Sequence, residues 1–562
     1  MADKRASLSD AVAANVRAGD TLCIVTGHTR WTAAAREVVR QWWGKSPGFT
    51  LVMPSLSSLG TLFFEGGLVD KVVTGYSGDT FPNFTPNPIF ANAYRSGVVD
   101  VEHWSFLTFS QRLEAAARGL PAMVTRSLVD SSMADNDAYA RVEAPFGEVG
   151  MLAPLAPDVT LLHAPVADRD GNVAVHPPLL EGVWGALAAR RGTVVTVERI
   201  VDDLQPWSHL VRIPAHRVLA VCEAELGAHP GGLFTGDLPV EPYGEDYDFW
   251  VDARAATHAD DFQEWVRHWF LDVEDQDDYL ARLGGDRVAR LRAKGHPDSW
   301  RDDEAAFPPD LTAEPNRWEL AATWGARHLA DRVVALVADA VLAGAGVANL
   351  SAWLAVAKAR ERGSEVQLTA EIGLWGYDPS IADPFVLNHR NFPRSTMLND
   401  ASTILGTLVG GAGTTTLACL GGAQVDRFGN VNSTLIPDGP FLVGSGGGND
   451  VASVCAEAIV VALLSPERTP PECGYITSPG RAVRALVTDL GTMEKPDPAG
   501  ELVLTAVPAG SEPLDARVEA ARAACGWDLR VADDVAELPP PEPAEIAQLR
   551  RWDPRGWFLR AR

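Results

Sequence analysis

Along the chain, short wholly apolar runs alternate with stretches whose apolar residues recur at helical spacing. Asp10 to Val16 reads as a helix, and AGDTLCIVTG (18–27) follows as a buried strand ending in glycine. The pattern returns later. Val334 to Leu342 reads as helical, AGAGVANL (343–350) breaks it, and a helix is expected from about Ser351 to Arg362. Val366 to Thr369 is a further apolar strand, closed by Ala370-Glu371 and the glycines Gly373 and Gly376. GSGGGNDVA (444–452) runs into VASVCAEAIVVALL (451–464), read as a helix. Apolar strands alternating with amphipathic helices predict an α/β fold: open, mainly parallel sheets flanked by helices.

Two segments echo each other. LLHAPVADRDGNV (161–173) and LACLGGAQVDRFGNV (417–431) both end in Asp-Arg-x-Gly-Asn-Val, at Asp168 to Val173 and Asp426 to Val431. Each is an apolar run, a Gly-Asn turn and a second apolar run, a strand–turn–strand signature. Good turn chemistry alone can produce Asp-x-x-Gly-Asn, but the matching apolar runs before both copies favour two similar domains. The expected division is 1–299, a linker at 300–317 marked by Pro308, Pro309 and Pro315, and 318–562. Residues 227–295, rich in Trp and Asp, read as a mainly helical elaboration of the first half. The Pro-rich stretch 538–543 precedes a short terminal helix expected to pack back on the core.

Composition narrows the partners. At 562 residues the chain exceeds one ordinary core, and 46% hydrophobic with 22% charged residues is globular. A formal charge of −26 argues against nucleic acid, which is bound through Lys and Arg on phosphates, and against anionic membranes. The six cysteines form no CxxC pair and no apolar run is long enough to span a bilayer, so the expected location is the cytoplasm. No HExxH or other metal spacing occurs, so no metal is expected, and no GxSxG elbow supports a Ser-His-Asp hydrolase. His103 and His163 read as structural.

The chemistry therefore rests on carboxylates and glycine turns. Glu371 stands at the carboxyl end of a predicted parallel strand, where open α/β sheets place their ligands. Gly373 and Gly376 let backbone approach a ligand and can offer N–H groups to a developing oxyanion. The local pattern is equally compatible with a glutamate that only caps its turn. The glycine run from Gly444 through Gly446, Gly447 and Gly448 reads as an anion cradle ahead of a helix. It lacks the lysine of a nucleotide P-loop.

Taken together, these segments resemble the family I CoA-transferases, in particular the glutaconate CoA-transferase branch with its two subunits fused. The run 420–453, LGGAQVDRFGNVNSTLIPDGPFLVGSGGGNDVAS, is similar to the β-subunit signature, and TAEIGLWG (369–376) occupies the place of its Glu-x-Gly turn. VEHWSFLTFSQRLEAAARGLPAMVTRSL (101–128) resembles a segment of the α subunits, and RWDPRGWFLR (551–560) resembles the C-terminal end of the β subunits. The chain departs from the pattern at Thr26 to Arg30, at 343–350, and at the bulky Trp375 and Tyr377. The resemblance implies an active site between the two halves, with Glu371 as nucleophile. It attacks an acyl-CoA thioester, forms a mixed anhydride and then a glutamyl-CoA thioester, and passes CoA to a carboxylic acid. It further implies CoA contacts at Gly444, Ser445, Gly446, Gly447, Gly448 and Asn449. Oxyanion or substrate contacts are expected at Gly373, Gly344 and Gly346, and a homo-oligomer is expected. The same branch includes steroid-ring-opening enzymes that cleave a cyclic 3-oxo acyl-CoA with water; in that alternative Glu102 acts as general base. A non-catalytic CoA-binding protein is the third reading.

Overall fold

The computed structural model describes residues 3–25, 27 and 31–559. Among these, two large sheets carry the fold. The first has the parallel series Val218–Glu223, Gly192–Val201, Val159–Asp168, Thr21–Ile24, Phe49–Val52, Val69–Thr74, Asp100–His103, with Val173–Ala174 and Val211–Ile213 added antiparallel. The second has the parallel centre Gln367–Ala370, Ala340–Ala343, Thr416–Leu420, Glu457–Val461, Val483–Val487, with antiparallel strands added at both margins. Helices such as Ala33–Trp42, Arg317–Leu336 and Val347–Glu361 bury their apolar faces on these sheets. No helix among the described residues is long and apolar enough to cross a membrane.

The echo in sequence is an echo in structure. Asp168 Oδ1 accepts from the N–H groups of Gly171 and Asn172, and Asp426 Oδ1 accepts from those of Phe428 and Asn430. Asn172 and Asn430 each return their side-chain amide to the aspartate and use Oδ1 to accept from Ala215 and Gly480 respectively. Lys4 and Lys495 then cap the carbonyls of those same two residues. Counting back from the two turns brings the strand registers into correspondence. Leu161 and Cys419 each lie seven residues before the aspartate and pair with Ile24 and Ala343. Three residues further on stand Gly27 and Gly346, both at positive φ. On the neighbouring strands, Val52 pairs with Cys23 and Thr369 with Leu342, so Glu371 falls where the first half has Pro54. The first half thus keeps the scaffold of the site without its carboxylate.

Three readings change. Val334 to Leu342 is not one helix: it ends at Leu336, Val337 adopts φ +49°, and Ala340–Ala343 becomes a fully buried central strand. A short apolar run is ambiguous between helix and buried strand, and burial on both faces selects the strand. For the same reason the expected long helix after Gly447 is only Gly448–Val454, and Glu457–Val461 is a strand. Within the expected linker, Trp300–Ala306 forms a helix; Asp303 pairs with Arg390 and Arg555, and Glu304 with Arg551.

The 227–295 segment is mainly helical, as Tyr247–Thr257, Gln276–Leu283 and Gly285–Lys294. It packs on both halves. Tyr247 stacks on Phe81 of the first half at 4.3 Å and donates its hydroxyl to Asp383 of the second at 2.6 Å. The terminal helix Pro543–Trp552 buries Ile546, Leu549 and Trp552 on the second half.

Candidate active site

Glu371 leaves the carboxyl end of the strand Gln367–Ala370 and begins the turn to the antiparallel strand Leu374–Tyr377. The turn depends on Gly373, at φ +122°, where a Cβ would lie 2.1 Å from the carbonyl oxygen of Asn399. The Gly373 N–H donates back to Ala370 and its carbonyl accepts from Asn399. Its role in the free protein is to shape the turn, and its N–H is not turned toward a ligand. The first half holds this turn from the other side: Leu180 N–H donates to the Ile372 carbonyl (3.0 Å) and Leu179 N–H to that of Asn399 (2.9 Å).

A second junction delivers the glycine run. Ser77 N–H donates to Val443, Gly446 N–H to Gly75, and Phe106 N–H to Gly446, so residues 443–446 are zipped onto the first half. The N–H groups of Gly444, Gly446 and Gly448 are all spent on protein carbonyls, of Ser433, Gly75 and Ser445. The run is therefore an inter-half seam more than an open anion cradle. Only Gly446 and Gly448 keep partial exposure; Gly444, Ser445, Gly447 and Asn449 are buried. Gly447 differs: its backbone lies against the Glu371 carboxylate and acts to favour the charged form. A Cβ on Gly447 would stand 2.0 Å from Glu371 Oε2. Because Gly447 has φ −89° and ψ 2°, which any residue can adopt, it is the contact with the carboxylate that requires glycine here.

Burial pushes the Glu371 carboxyl up to about 7; the nearby charge of Asp450 adds to the rise and the Gly447 backbone opposes it. Asp450, in the helix Gly448–Val454, is fully buried. Burial also raises its carboxyl, to about 6, against the hydrogen bonds from Ser105 and Leu107. The Asp450 charge is thus one cause, after burial, of the rise at Glu371. Phe106 supplies apolar surface: both its ring and Glu371 Oε1 lie 3.8 Å from where a Cβ of Gly446 would be.

Other expected residues are placed as follows. Gly344 and Gly346 lie at the end of the strand Ala340–Ala343, next to the Glu371 strand, with Gly346 capping the helix Val347–Glu361. Asn449 spends its side chain on structure: Oδ1 accepts from Leu128 N–H and Nδ2 donates to the Thr477 carbonyl, which ties the halves together. Glu102, on the edge strand Asp100–His103, is held by Lys71 at 2.6 Å, by Arg112 at 3.1 Å and by the Trp104 indole N–H at 3.2 Å. Burial acts to raise its carboxyl, but Lys71 and Arg112 outweigh it and the net shift is downward. A triply satisfied carboxylate is a poor proton acceptor, so this geometry gives the general-base role of Glu102 no support. His103 stacks on Phe441, and His163 bonds Thr196 and Glu198. Of the departing loop 26–30 only Gly27 is among the described residues; its N–H donates to Glu181. Asp450 and Phe106 went unmarked in sequence. A signal was present for Asp450, an acid in the first turn of the helix that follows the glycines.

The profile of the Coenzyme A transferase family matches residues 5–224. The chain is 30% identical over 293 residues to the A-type subunit of 3-oxoadipate CoA-transferase from Pseudomonas knackmussii, covering 49% of this chain and 97% of that relative. It is also 30% identical over 155 residues to the B-type subunit from the same organism, covering 24% of this chain and 58% of that relative. An acyl-CoA transferase of Escherichia coli O157:H7 has the same fold, with a TM-score of 0.64 over 97% of this chain and 96% of that one at 16% identity. A two-sheet scaffold with a half-buried carboxylate at the junction of its halves accords with these matches, and the chain belongs to the coenzyme A transferase family.

Proposed function

We propose that the protein moves CoA from an acyl-CoA to a carboxylic acid through a covalent intermediate on Glu371, with the α-like and β-like halves fused in one chain. The observation that carries this reading is the half-buried Glu371 carboxylate pressed against Gly447, at a contact with no room for a side chain. Burial strips water from the carboxylate and makes it more basic and more nucleophilic than an ordinary glutamate. Its attack on the thioester carbonyl forms a C–O bond and expels CoA thiolate, leaving a mixed anhydride. The thiolate then adds to the glutamyl carbonyl, and the first acid departs as its carboxylate. The Gly447 N–H, in the backbone that lies against Glu371, is placed to stabilise the oxyanion that forms there. CoA would approach along the partly exposed Gly446 and Gly448. The acceptor acid runs the same steps in reverse.

Two outcomes test the scheme. Acyl-CoA supplied without an acceptor should release about one equivalent of carboxylic acid per active site, leave CoA bound to protein, and stop. Continuous release of free CoA under these conditions would instead establish hydrolysis. The nucleophile must be ionised, so kcat/KM should rise with pH through the region of about 7 and level off above it. A profile flat down to pH ~5, near the ordinary carboxylate range, would contradict the assignment.

A further inference from the structure

Asp450 has no part in the steps just described, yet it is buried in the first turn of the helix that follows Gly447, whose backbone meets the Glu371 carboxylate. The Asp450 carboxylate accepts the Ser105 hydroxyl through Oδ1 and the Leu107 N–H through Oδ2 (3.0 Å). Ser105 is the N-cap of the first-half helix Phe106–Ala117 and forms a capping box with Thr108. The acid of one half is therefore docked on the helix terminus of the other, whose hydrogen bonds favour its charged form against the burial that raises its carboxyl. Among the described residues, the groups that bear on the two acids are the carboxyls themselves, the Ser105 and Ser127 hydroxyls, and the Leu107 and Gly447 N–H groups. No cation is among them. A buried carboxylate normally finds one, and here the second acid takes that place.

We propose that Asp450 is a positioning residue for CoA transfer, a fixed negative charge that destabilises free Glu371 carboxylate and is relieved when Glu371 is acylated. The proposal rests on the covalent reading of Glu371. The charge balance supplies the logic. Free Glu371 is an anion facing an anion, whereas glutamyl anhydride and glutamyl-CoA are neutral. In forming the thioester, the negative charge leaves the pocket on the departing carboxylate. Repulsion present before the reaction and absent after it favours the intermediate and raises the rate of its formation. Ser105 and the helix terminus keep the charge on Asp450 and hold it in register with Glu371.

The test is Asp450→Asn, which keeps the shape and the acceptor oxygen and removes the charge. Three quantities are compared with the unaltered enzyme: the pH profile of kcat/KM, the fraction of Glu371 present as CoA thioester at fixed acyl-CoA, and KM. The acid limb should move down by roughly one pH unit and the thioester fraction at pH 8 fall about tenfold, with KM little changed. A merely structural cap would lower the unfolding midpoint and leave the acid limb and the thioester fraction where they were; that result overturns the proposal. Should Asp450→Asn not fold, Ser105→Ala decides. It weakens the hold on the Asp450 charge, so a smaller shift of the acid limb in the same direction supports the proposal, and an unshifted limb overturns it. Mapping the adduct on the unaltered enzyme in parallel keeps the two readings apart. An adduct on Glu371 with an unshifted variant profile sinks only the role of Asp450, whereas absence of the adduct sinks both.

Discussion

Replacing Glu371 with glutamine is expected to lower kcat for CoA transfer by on the order of 10⁴-fold or more. The same change should make the protein more resistant to heat above neutral pH. The loss follows from the chemistry, because an amide cannot form the mixed anhydride. The gain follows from linkage. The ordinary carboxyl value is 4.5 and the folded value is raised to about 7. Folding is therefore disfavoured by the ionised form: stability is full below about 4.5, declines as pH rises toward 7, and stays reduced above it. Glutamine removes that penalty. Its unfolding midpoint should exceed that of the unaltered protein at pH 8, and the difference should vanish near pH 4.5. Equal midpoints at both pH values would mean that the carboxylate is not strained by burial.

The second large effect is expected at Gly447. Alanine is compatible with the backbone there, and Gly→Ala at a compatible site usually preserves or raises stability. The added methyl, however, would stand 2.0 Å from Glu371 Oε2, well inside contact distance, so the carboxylate must move by an ångström or more. Displacing a reacting atom by about 1 Å costs on the order of 10²-fold in rate. Gly447→Ala should thus lose kcat by that factor or more while unfolding near the normal temperature. Steady-state kinetics alongside thermal unfolding separate the two. A variant with full activity would show that the carboxylate does not work in its observed position.

Much of this was readable in the chain because the signals are local. The Asp-Arg-x-Gly-Asn-Val turns carry their own hydrogen bonds, and a glutamate on a glycine turn at a strand end announces an α/β ligand site. The errors share one cause. Ala340–Ala343 and Glu457–Val461 are short, wholly buried runs, and only the neighbouring strands decide that they are strands. What sequence could not supply is the pairing of distant residues. Asp450 and Ser105 are separated by 345 positions, and the Gly75–Ser77 segment meets 443–446 only in the fold. Asn449 illustrates the same limit, since a residue in a glycine-rich motif proves to tie Leu128 to Thr477. Glu102 is the general base expected in the ring-opening alternative; Lys71, 31 positions earlier, turns it into an ion-pair partner.

The central claim, that Glu371 itself carries the acyl group and then CoA, is tested most directly by peptide mass mapping. The enzyme is incubated with an acyl-CoA and quenched with hydroxylamine, which converts a glutamyl thioester or anhydride to the hydroxamate. Hydroxamate is expected at Glu371, dependent on acyl-CoA and absent in Glu371→Gln. Turnover that leaves the Glu371 peptide unmodified, and that survives Glu371→Ala, would contradict that claim.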